Sequence, residues 1–333
     1  MALLTVTDLN VRFRTPGGDV HAVNGLSFSI DKGETVAIVG ESGSGKTVTS
    51  LSILRLLASP PAQITGRIDF EGVNLLDLSK KEIRRIRGGD ISMVFQEPMT
   101  SLNPVLTVGR QVDETLMLHQ RLGKKEARRR SVDLFKMVGI PSPERRIDDY
   151  PHQFSGGMRQ RVMIAMALAC SPKLLIADEP TTALDVTIQA QVLRLMRQLR
   201  QEFASSIMLI THDLGIVAEM AERVVVMYAG RAVEAAGVRE LFADPQHPYT
   251  RGLLDSMPRL GSSLLSRERR PLTEIKGQVP SLRKPIVGCP FAPRCGRASQ
   301  TCGEIAPPTV ARTPGHLVAC HHPLGSPAAE LVQ

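Results

Sequence analysis

Residues 40–47 have the types and spacing of a phosphate-binding loop. They read Gly-Glu-Ser-Gly-Ser-Gly-Lys-Thr, which matches the pattern G-x-x-x-x-G-K-[ST]. Glycines let backbone N–H groups surround a phosphate, and a following helix directs its positive end to the same place. Lys46 can reach the β- and γ-phosphates, and the Thr47 hydroxyl can ligate Mg²⁺. The pattern predicts a nucleoside triphosphate site, and the alternative is a glycine-rich turn with a solvated lysine. The residues assigned to this site are Gly40, Glu41, Ser42, Gly43, Ser44, Gly45, Lys46 and Thr47.

A pair of carboxylates follows a later apolar segment. Residues 174–177 read Leu-Leu-Ile-Ala, which predicts a buried strand, and Asp178 and Glu179 come directly after it. Ligands bind at the carboxyl ends of parallel strands, so we expect this pair beside the phosphate-binding loop. Asp178 suits a contact with Mg²⁺, and Glu179 suits a base or an orienting group for an attacking water. The alternative is a solvated acidic strand end.

Two further groups of polar residues, at Ser155 and at His212, lie where they could contribute to a ligand-binding site. Ser155 and the two glycines after it precede a predicted helix, so they form either a second anion site or an ordinary N-cap. His212 follows the strand predicted over residues 206–210. It falls on the same sheet edge as the loop, although a histidine at a strand end is usually structural.

Alternating strands and helices are predicted around these residues. Residues 35–39 are an apolar run before the loop, and an apolar-striped helix follows it. Residues 3–13 and 21–30 predict an antiparallel β piece at the N-terminus, and residues 108–138 predict a charged helical insertion. The fold class is therefore α/β of the P-loop NTPase kind, with an N-terminal antiparallel β subdomain.

Composition limits the class of protein. The 333 residues suggest one large domain with an appendage, and 42% hydrophobic with 22% charged residues is ordinary for a globular protein. The net charge is +8, but aromatic content is 4% with no Trp, which leaves few surfaces for stacking bases, and we expect no nucleic-acid partner. No apolar run reaches the length of a membrane span and no signal peptide is evident, so we expect a cytoplasmic protein.

Six motifs together resemble the nucleotide-binding subunits of ATP-binding cassette (ABC) transporters over about residues 3–245. Their order and spacing are similar to those of the family. They correspond to its Walker A, Q-loop, signature, Walker B, D-loop and H-loop: residues 40–47, Gln96, residues 154–158, residues 174–179, residues 183–185 and His212. The resemblance implies an ABC cassette with a helical signature subdomain at about residues 105–170.

The resemblance also implies a role for each motif residue. Phe13 would stack on the adenine of ATP, although a lone aromatic near a strand end is otherwise a core residue. Gln96 would sense Mg²⁺ and the attacking water, Glu179 would activate that water, and His212 would hold the γ-phosphate. Asp185 belongs to the D-loop. Three residues would act in trans, on the P-loop of a second cassette: Ser155, Gly156 and Gly157.

Three segments narrow the resemblance to the ATPase subunits of bacterial dipeptide and oligopeptide importers: residues 95–104, 157–161 and 247–250. The implied function is ATP hydrolysis that energises peptide import, and relatives that import nickel or another small solute are the alternative. The implied partners are a second homologous ATPase subunit in a heterodimer, two transmembrane permease subunits and an external solute-binding protein. The implied location is the cytoplasmic face of the membrane. A soluble ABC protein is disfavoured because those usually carry two cassettes, whereas this chain has one P-loop.

Residues 246–333 differ in composition and predict a small loop-rich extension after the cassette of residues 1–245. Prolines are frequent there and apolar residues are few, so we expect the segment to need a constraint beyond burial. Four of the five cysteines lie in it: Cys289, Cys295, Cys302 and Cys320.

Clustered cysteines in a cytosolic chain favour a metal over disulfides. Their spacing is not that of a zinc knuckle. The tails of peptide-importer ATPases resemble a [4Fe–4S] ligand set, and the resemblance implies such a cluster here. Zinc, with His321 or His322 as a further ligand, and the absence of any metal remain open.

Overall fold

The computed structural model describes residues 2–97, 101–182, 184–257 and 274–325. Pro98, Met99, Thr100 and Ala183 of the motifs above lie outside the described residues, as do residues 258–273 and 326–333 of the extension. The strands are β1 (Ala2–Thr15), β2 (Gly18–Asp31), β3 (Thr35–Val39), β4 (Ala62–Phe70), β5 (Val73–Asn74), β6 (Ile91–Val94), β7 (Leu174–Asp178), β8 (Ser206–Thr211), β9 (Arg223–Tyr228), β10 (Arg231–Gly237), β11 (Thr309–Thr313) and β12 (His316–Ala319). The α-helices are α1 (Lys46–Ile53), α2 (Lys80–Ile86), α3 (Val108–Gln120), α4 (Lys124–Met137), α5 (Pro143–Arg146), α6 (Gly156–Leu168), α7 (Val186–Phe203), α8 (Leu214–Met220), α9 (Val238–Ala243), α10 (Pro248–Asp255) and α11 (Gln300–Glu304).

The N-terminal strands form an antiparallel sheet in the order β2-β1-β4-β5. β1 buries Leu4, Val6 and Leu9 and alternates them with more exposed residues, as expected for a sheet with one face on the core. Phe13 lies near the end of β1, opposite Val20 of β2, and is half-buried. The predicted N-terminal β subdomain is therefore present.

The central sheet has the strand order β11-β12-β10-β9-β3-β8-β7-β6. From β9 to β6 the strands are parallel. Every residue of β3 and of β7 is buried, which explains the apolar runs 36–39 and 174–177. Because the strands are parallel, the carboxyl ends of β3, β7 and β8 lie at one edge of the sheet. The phosphate-binding loop, the carboxylate pair and His212 all follow those ends.

The helical insertion predicted over residues 108–138 consists of two helices. Arg121 ends α3 in a left-handed conformation, with φ +55°, and Gly123 stands at the N-cap of α4. The two helices fold back on each other around Val112, Leu116 and Phe135, which belong to one buried cluster with residues of α6 and α7. The helix that follows the signature segment therefore packs between these two helices and the central sheet, whose strands β6, β7 and β8 contribute to the same buried cluster.

The C-terminal extension is built onto the cassette. β12 pairs antiparallel with β10, and it continues the central sheet. Phe291 and Val318 are buried, and Phe291 packs with Tyr228 and Tyr249. The extension thus buries apolar residues against the cassette, which corrects the expectation that burial could not order it. Within the described residues, no helix is both long and apolar enough to cross a lipid bilayer.

Candidate functional site

The phosphate-binding loop of residues 40–47 joins β3 to α1 and passes directly against two other strands. A Cβ on Gly40 would stand 2.2 Å from the carbonyl oxygen of Met227 in β9. A Cβ on Gly45, whose φ is +97°, would stand 2.5 Å from the carbonyl oxygen of Ala22 in β2. Side chains cannot be accommodated at these distances, so both positions require glycine.

Lys46 begins α1, and its side chain turns back into the loop. The residue is 6% exposed, and its Nζ donates to the carbonyl oxygens of Gly40, at 2.7 Å, and Glu41, at 3.0 Å. Burial lowers the pKa of the Lys46 ammonium, and the carboxylates of Glu179 and Asp178 oppose that shift. A cation held inside the loop, facing the carboxylates at the end of β7, is suited to bind a polyphosphate.

Asp178 and Thr47 provide a donor set for a divalent cation. Asp178 ends β7 and is 1% exposed. Burial raises the pKa of the Asp178 carboxyl, and a hydrogen bond with the Thr47 side chain opposes the shift. Among the described residues Asp178 Oδ1 has no hydrogen-bond partner. A buried carboxylate oxygen without a partner beside a hydroxyl fits Mg²⁺, which prefers oxygen ligands.

Glu179 is held by three side chains from three parts of the chain. Its Oε2 accepts hydrogen bonds from Gln96 Nε2, at 3.0 Å, and from Thr182 Oγ1, at 2.9 Å. Its Oε1 lies 3.2 Å from His212 Nδ1. The backbone of Glu179 has φ +46°, a left-handed conformation that is rare for a glutamate and common at functional sites. The structure therefore brings together the three residues predicted to be catalytic, Gln96, Glu179 and His212, and it adds Thr182, which the motifs did not indicate.

The ionisation of Glu179 follows from these contacts. Burial by itself would raise the pKa of the carboxyl, but hydrogen bonds from His212 and Thr182 outweigh it and lower the pKa below its ordinary value. At neutral pH the side chain is a carboxylate, oriented and ready to accept a proton.

The signature segment lies apart from this site. Ser155 is the N-cap of α6, and its Oγ accepts from the backbone N–H of Met158 at 3.3 Å. Ser155 and Gly156 are exposed, whereas a Cβ on Gly157 would stand 2.6 Å from Ile188. Across the described ranges, no hydrogen bond or ion pair joins residues 155–157 to residues 40–47. Ser155 and Gly156 are therefore accessible to a second protein chain.

The remaining predicted residues lie as follows. Ser42 and Gly43 are exposed on the loop, and Ser44 is buried, with its N–H donating to the Glu41 carbonyl at 3.2 Å. Asp185 is exposed and is the N-cap of α7, where its Oδ1 accepts from the backbone N–H of Ile188 at 2.9 Å. The binding roles assigned to these residues and to Phe13 stay predictions.

The side chain of Glu41 points to the extension. Its carboxylate is paired with Arg294, and its backbone N–H donates to the Tyr249 hydroxyl at 2.9 Å. Neither partner was predicted, although Tyr249 lies in one of the importer-like segments and Arg294 directly precedes Cys295. No spacing rule connects such distant positions with the loop.

The four cysteines of the extension, Cys289, Cys295, Cys302 and Cys320, are free thiols in one small region. The N–H of Cys289 donates to the carbonyl of Cys302 at 2.7 Å, and the sulfur of Cys320 accepts from the N–H of His322 at 3.4 Å. Burial raises the pKa of Cys320 to about 11, and the other three thiols act in the same direction. The four sulfurs are therefore near enough to interact electrostatically.

No group of three or more His, Cys, Asp or Glu residues in the described part of the chain is placed to hold a metal ion. The two histidines considered as zinc ligands have other partners: His321 Nε2 lies 2.9 Å from the Ile305 carbonyl, and His322 Nε2 lies 2.7 Å from Ser299 Oγ. Within the described residues, the structure thus offers no support for a bound metal in the extension, either zinc or an iron–sulfur cluster.

Comparison with known proteins identifies two family regions. The model described as "ABC transporter" matches residues 23–182. The model described as "Oligopeptide/dipeptide transporter, C-terminal region" matches residues 233–302, from β10 to Cys302.

Similar proteins cover nearly the whole chain. It is 54% identical over 317 residues to the oligopeptide transport ATP-binding protein OppD of Bacillus subtilis, covering 95% of this chain and 87% of that protein. It is 54% identical over 319 residues to the dipeptide transport ATP-binding protein DppD of the same organism, covering 96% and 94%. The OppD protein of Escherichia coli is 51% identical over 323 residues, covering 97% and 94%.

Solved structures with the same fold are ATP-binding cassettes. A dimeric cassette bound to ADP and phosphate matches with a TM-score of 0.64 and 29% identity, over 71% of this chain and 99% of that chain. The cbiO1 protein of Clostridium perfringens, part of the ABC transporter complex cbiONQ, matches with a TM-score of 0.61 and 32% identity, over 73% and 91%.

Proposed function

The chain belongs to the ABC transporter family, in its oligopeptide and dipeptide branch, and we propose that it hydrolyses ATP to power peptide import across the cytoplasmic membrane. The observation that carries the proposal is the position of Lys46 after β3 and of Asp178 and Glu179 at the end of β7, which lie at one edge of the parallel sheet. Relatives named as peptide transport ATP-binding proteins match at least 95% of the chain, including the extension.

The proposed reaction is transfer of the γ-phosphoryl group of ATP to water. Glu179 accepts a proton from the attacking water or orients it, and Gln96 and Thr182 hold the carboxylate in place. Lys46 stabilises the charge on the β- and γ-phosphates, and by family resemblance His212 binds the γ-phosphate. Thr47 and Asp178 would hold Mg²⁺, which would neutralise the charge that develops on the phosphate oxygens.

Hydrolysis requires a second cassette. Ser155 and Gly156 are exposed, and in the part of the chain that the structure describes residues 155–157 form no hydrogen bond or ion pair with residues 40–47, which supports a head-to-tail dimer in which Ser155, Gly156 and Gly157 complete the opposite site. We propose a homologous second ATPase subunit, so that the pair is a heterodimer. Two permease subunits would bind the pair at the cytoplasmic face of the membrane, with an external solute-binding protein delivering the peptide.

The direct test is reconstitution of the complete transporter in proteoliposomes. We expect ATP hydrolysis that rises when the solute-binding protein and a short peptide are supplied outside, together with uptake of the labelled peptide. The control is the same complex with Glu179→Gln. Stimulation by Ni²⁺ or another small solute in place of any peptide would contradict peptide import, and hydrolysis independent of the permeases would contradict transport altogether.

We further propose that the four extension cysteines hold a [4Fe–4S] cluster. The support is the chemistry of the donor set: four thiols in one partly buried region, with backbone N–H groups donating to sulfur. A [4Fe–4S] cluster holds its four cysteine ligands farther apart than a single metal ion does. Four cysteines that are too far apart to bind one ion are therefore still compatible with a cluster.

The metal content of anaerobically purified protein tests the cluster. We expect about four iron atoms and acid-labile sulfide per chain, lost on Cys302→Ser. Cys170→Ser is the matched control, because Cys170 is a half-buried thiol outside the extension. Stoichiometric zinc without iron, or neither metal, would exclude the cluster and leave the ATPase assignment unchanged.

A further inference from the structure

Arg294, in the C-terminal extension, forms an ion pair with the phosphate-binding loop. Its Nη1 donates to Glu41 Oε2 at 2.6 Å and its Nη2 donates to Glu41 Oε1 at 3.0 Å. The Arg294 side chain is 5% exposed. Two parallel hydrogen bonds between a guanidinium and a carboxylate fix the orientation of both groups, and a lysine could not reproduce them.

Arg294 is itself immobilised by the extension and by the cassette. Its Nε donates to the Lys276 carbonyl and its Nη2 to the Ile275 carbonyl, both at 2.9 Å. Its Nη1 also donates to the Tyr228 hydroxyl at 3.2 Å, and the guanidinium carbon lies 5.7 Å from the centre of that ring. A group with this many partners has one available position.

The backbone of Glu41 is held by the same cluster. The Tyr249 hydroxyl accepts the Glu41 N–H, and the Tyr249 ring lies 4.7 Å from Tyr228 and 5.4 Å from Phe291, measured between ring centres. Phe291 belongs to the extension, three residues before Arg294. The second residue of the loop is thus bound through both its side chain and its backbone.

Glu41 in turn positions the catalytic lysine. The carbonyl oxygens of Gly40 and Glu41 accept hydrogen bonds from Lys46 Nζ. A change in the conformation of Glu41 therefore changes where the Lys46 ammonium stands. An unpaired Glu41 carboxylate would also place a negative charge beside a triphosphate, which repels it.

We propose that Arg294 is a positioning residue for the ATP site: it holds Glu41 so that the loop and Lys46 keep the conformation that binds the triphosphate. Arg294 acts through Glu41 and is not expected to touch ATP. The inference rests on ATP binding at residues 40–47 and is independent of the solute that is transported.

One consequence concerns the cysteine segment. Arg294 ends the short 3-10 helix Ala292–Arg294, which lies between Cys289 and Cys295. The N–H of Ala292 donates to the Cys289 carbonyl and the N–H of Cys295 donates to the Ala292 carbonyl. The fold of this segment is therefore linked to ATP affinity through one arginine.

The test compares ATP binding by the full-length chain, using a fluorescent ATP analogue, with kcat and KM for ATP in the assembled transporter. Arg294→Met should raise both the Kd and the KM at least tenfold, while kcat at saturating ATP changes less than threefold. The double variant Glu41→Gln with Arg294→Met should bind ATP no more weakly than Arg294→Met alone, because both substitutions break the same ion pair and their effects are then not additive. Arg297→Met, an exposed arginine of the same segment, is the control and should change nothing.

Two results would overturn the proposal. The first is a less stable Arg294→Met protein with wild-type Kd and KM, which would make Arg294 purely structural. The second is a double variant whose loss of ATP binding equals the combined losses of Glu41→Gln and Arg294→Met, which would show that Arg294 does not act through Glu41. If Arg294→Met does not fold, Glu41→Gln, which breaks the same ion pair, decides alone: a folded protein with a Kd for ATP at least tenfold above wild type supports the proposal, and a smaller change rejects it. Failure of the wild-type chain to bind ATP would instead contradict the proposal that this protein is an ATPase.

Discussion

Glu179→Gln removes one negative charge and one proton acceptor and leaves the side-chain volume almost unchanged. In the wild-type chain Gln96 and Thr182 both donate to Glu179 Oε2, and one amide oxygen can accept both of these hydrogen bonds. In the remaining contact, with His212 Nδ1, an uncharged amide replaces the Glu179 carboxylate. The substitution should therefore leave the site assembled and remove only the chemistry of the carboxylate.

The expected magnitude follows from the ionisation of Glu179. The hydrogen bonds that lower its pKa make it a carboxylate at neutral pH, so the wild-type enzyme carries the full contribution of a positioned base. General-base catalysis contributes roughly 10²- to 10⁴-fold to a rate. Turnover should fall by that factor, which corresponds to about 3 to 5 kcal/mol in the activation free energy. ATP affinity should stay within about threefold of wild type, because Glu179 loses no contact that holds the loop.

The assay is phosphate release by the assembled transporter in proteoliposomes, with ATP binding measured on the same preparation. Glu202→Gln, on the exposed surface of α7, is the matched control for the loss of one carboxylate. Turnover within twofold of wild type would refute the assignment of Glu179 as base or water-orienting residue. Loss of ATP binding would refute the reasoning that the substitution preserves the site.

Three further outcomes are expected. Asp178→Asn should raise the Mg²⁺ concentration for half-maximal hydrolysis at least tenfold in a Mg²⁺ titration, because the orphan carboxylate oxygen loses its charge; an unchanged titration would remove Asp178 from the cation site. The isolated chain should hydrolyse ATP at least tenfold more slowly than the assembled transporter, since its signature and loop serve opposite sites, and equal rates per site would contradict this. Burial lowers the pKa of His247 to about 4, so only the unfolded chain takes up this proton as the pH falls below about 6.5. The contribution of His247 to the free energy of unfolding should therefore decrease by roughly 3 kcal/mol from pH 6.5 to 4, and in urea unfolding at several pH values His247→Gln should reduce the pH dependence by about that amount.

The sequence alone was sufficient for the parts of the molecule whose geometry is local. A strand, eight loop residues and a helix make the phosphate site within one short stretch, so spacing and residue type predict it. The buried parallel strands are equally evident, because strands covered on both faces are continuously apolar. From those strands the rule for carboxyl edges placed the acidic pair and His212 beside the loop, and the structure has them there.

Tertiary structure decided the contacts between segments that no pattern connects. The sequence predicted a helical insertion over residues 108–138 but not its internal turn, where a left-handed Arg121 and Gly123 separate α3 from α4, and both helices share a buried cluster with α6. The sequence predicted a loop-rich extension, but in the structure its strand β12 forms hydrogen bonds with β10 of the cassette. The pair of Glu41 and Arg294 spans 253 positions of sequence. Burial, charge and hydrogen bonding bring such partners together only in the folded chain. A sequence pattern indicates which residues require a partner, but it does not indicate which distant residue will be that partner.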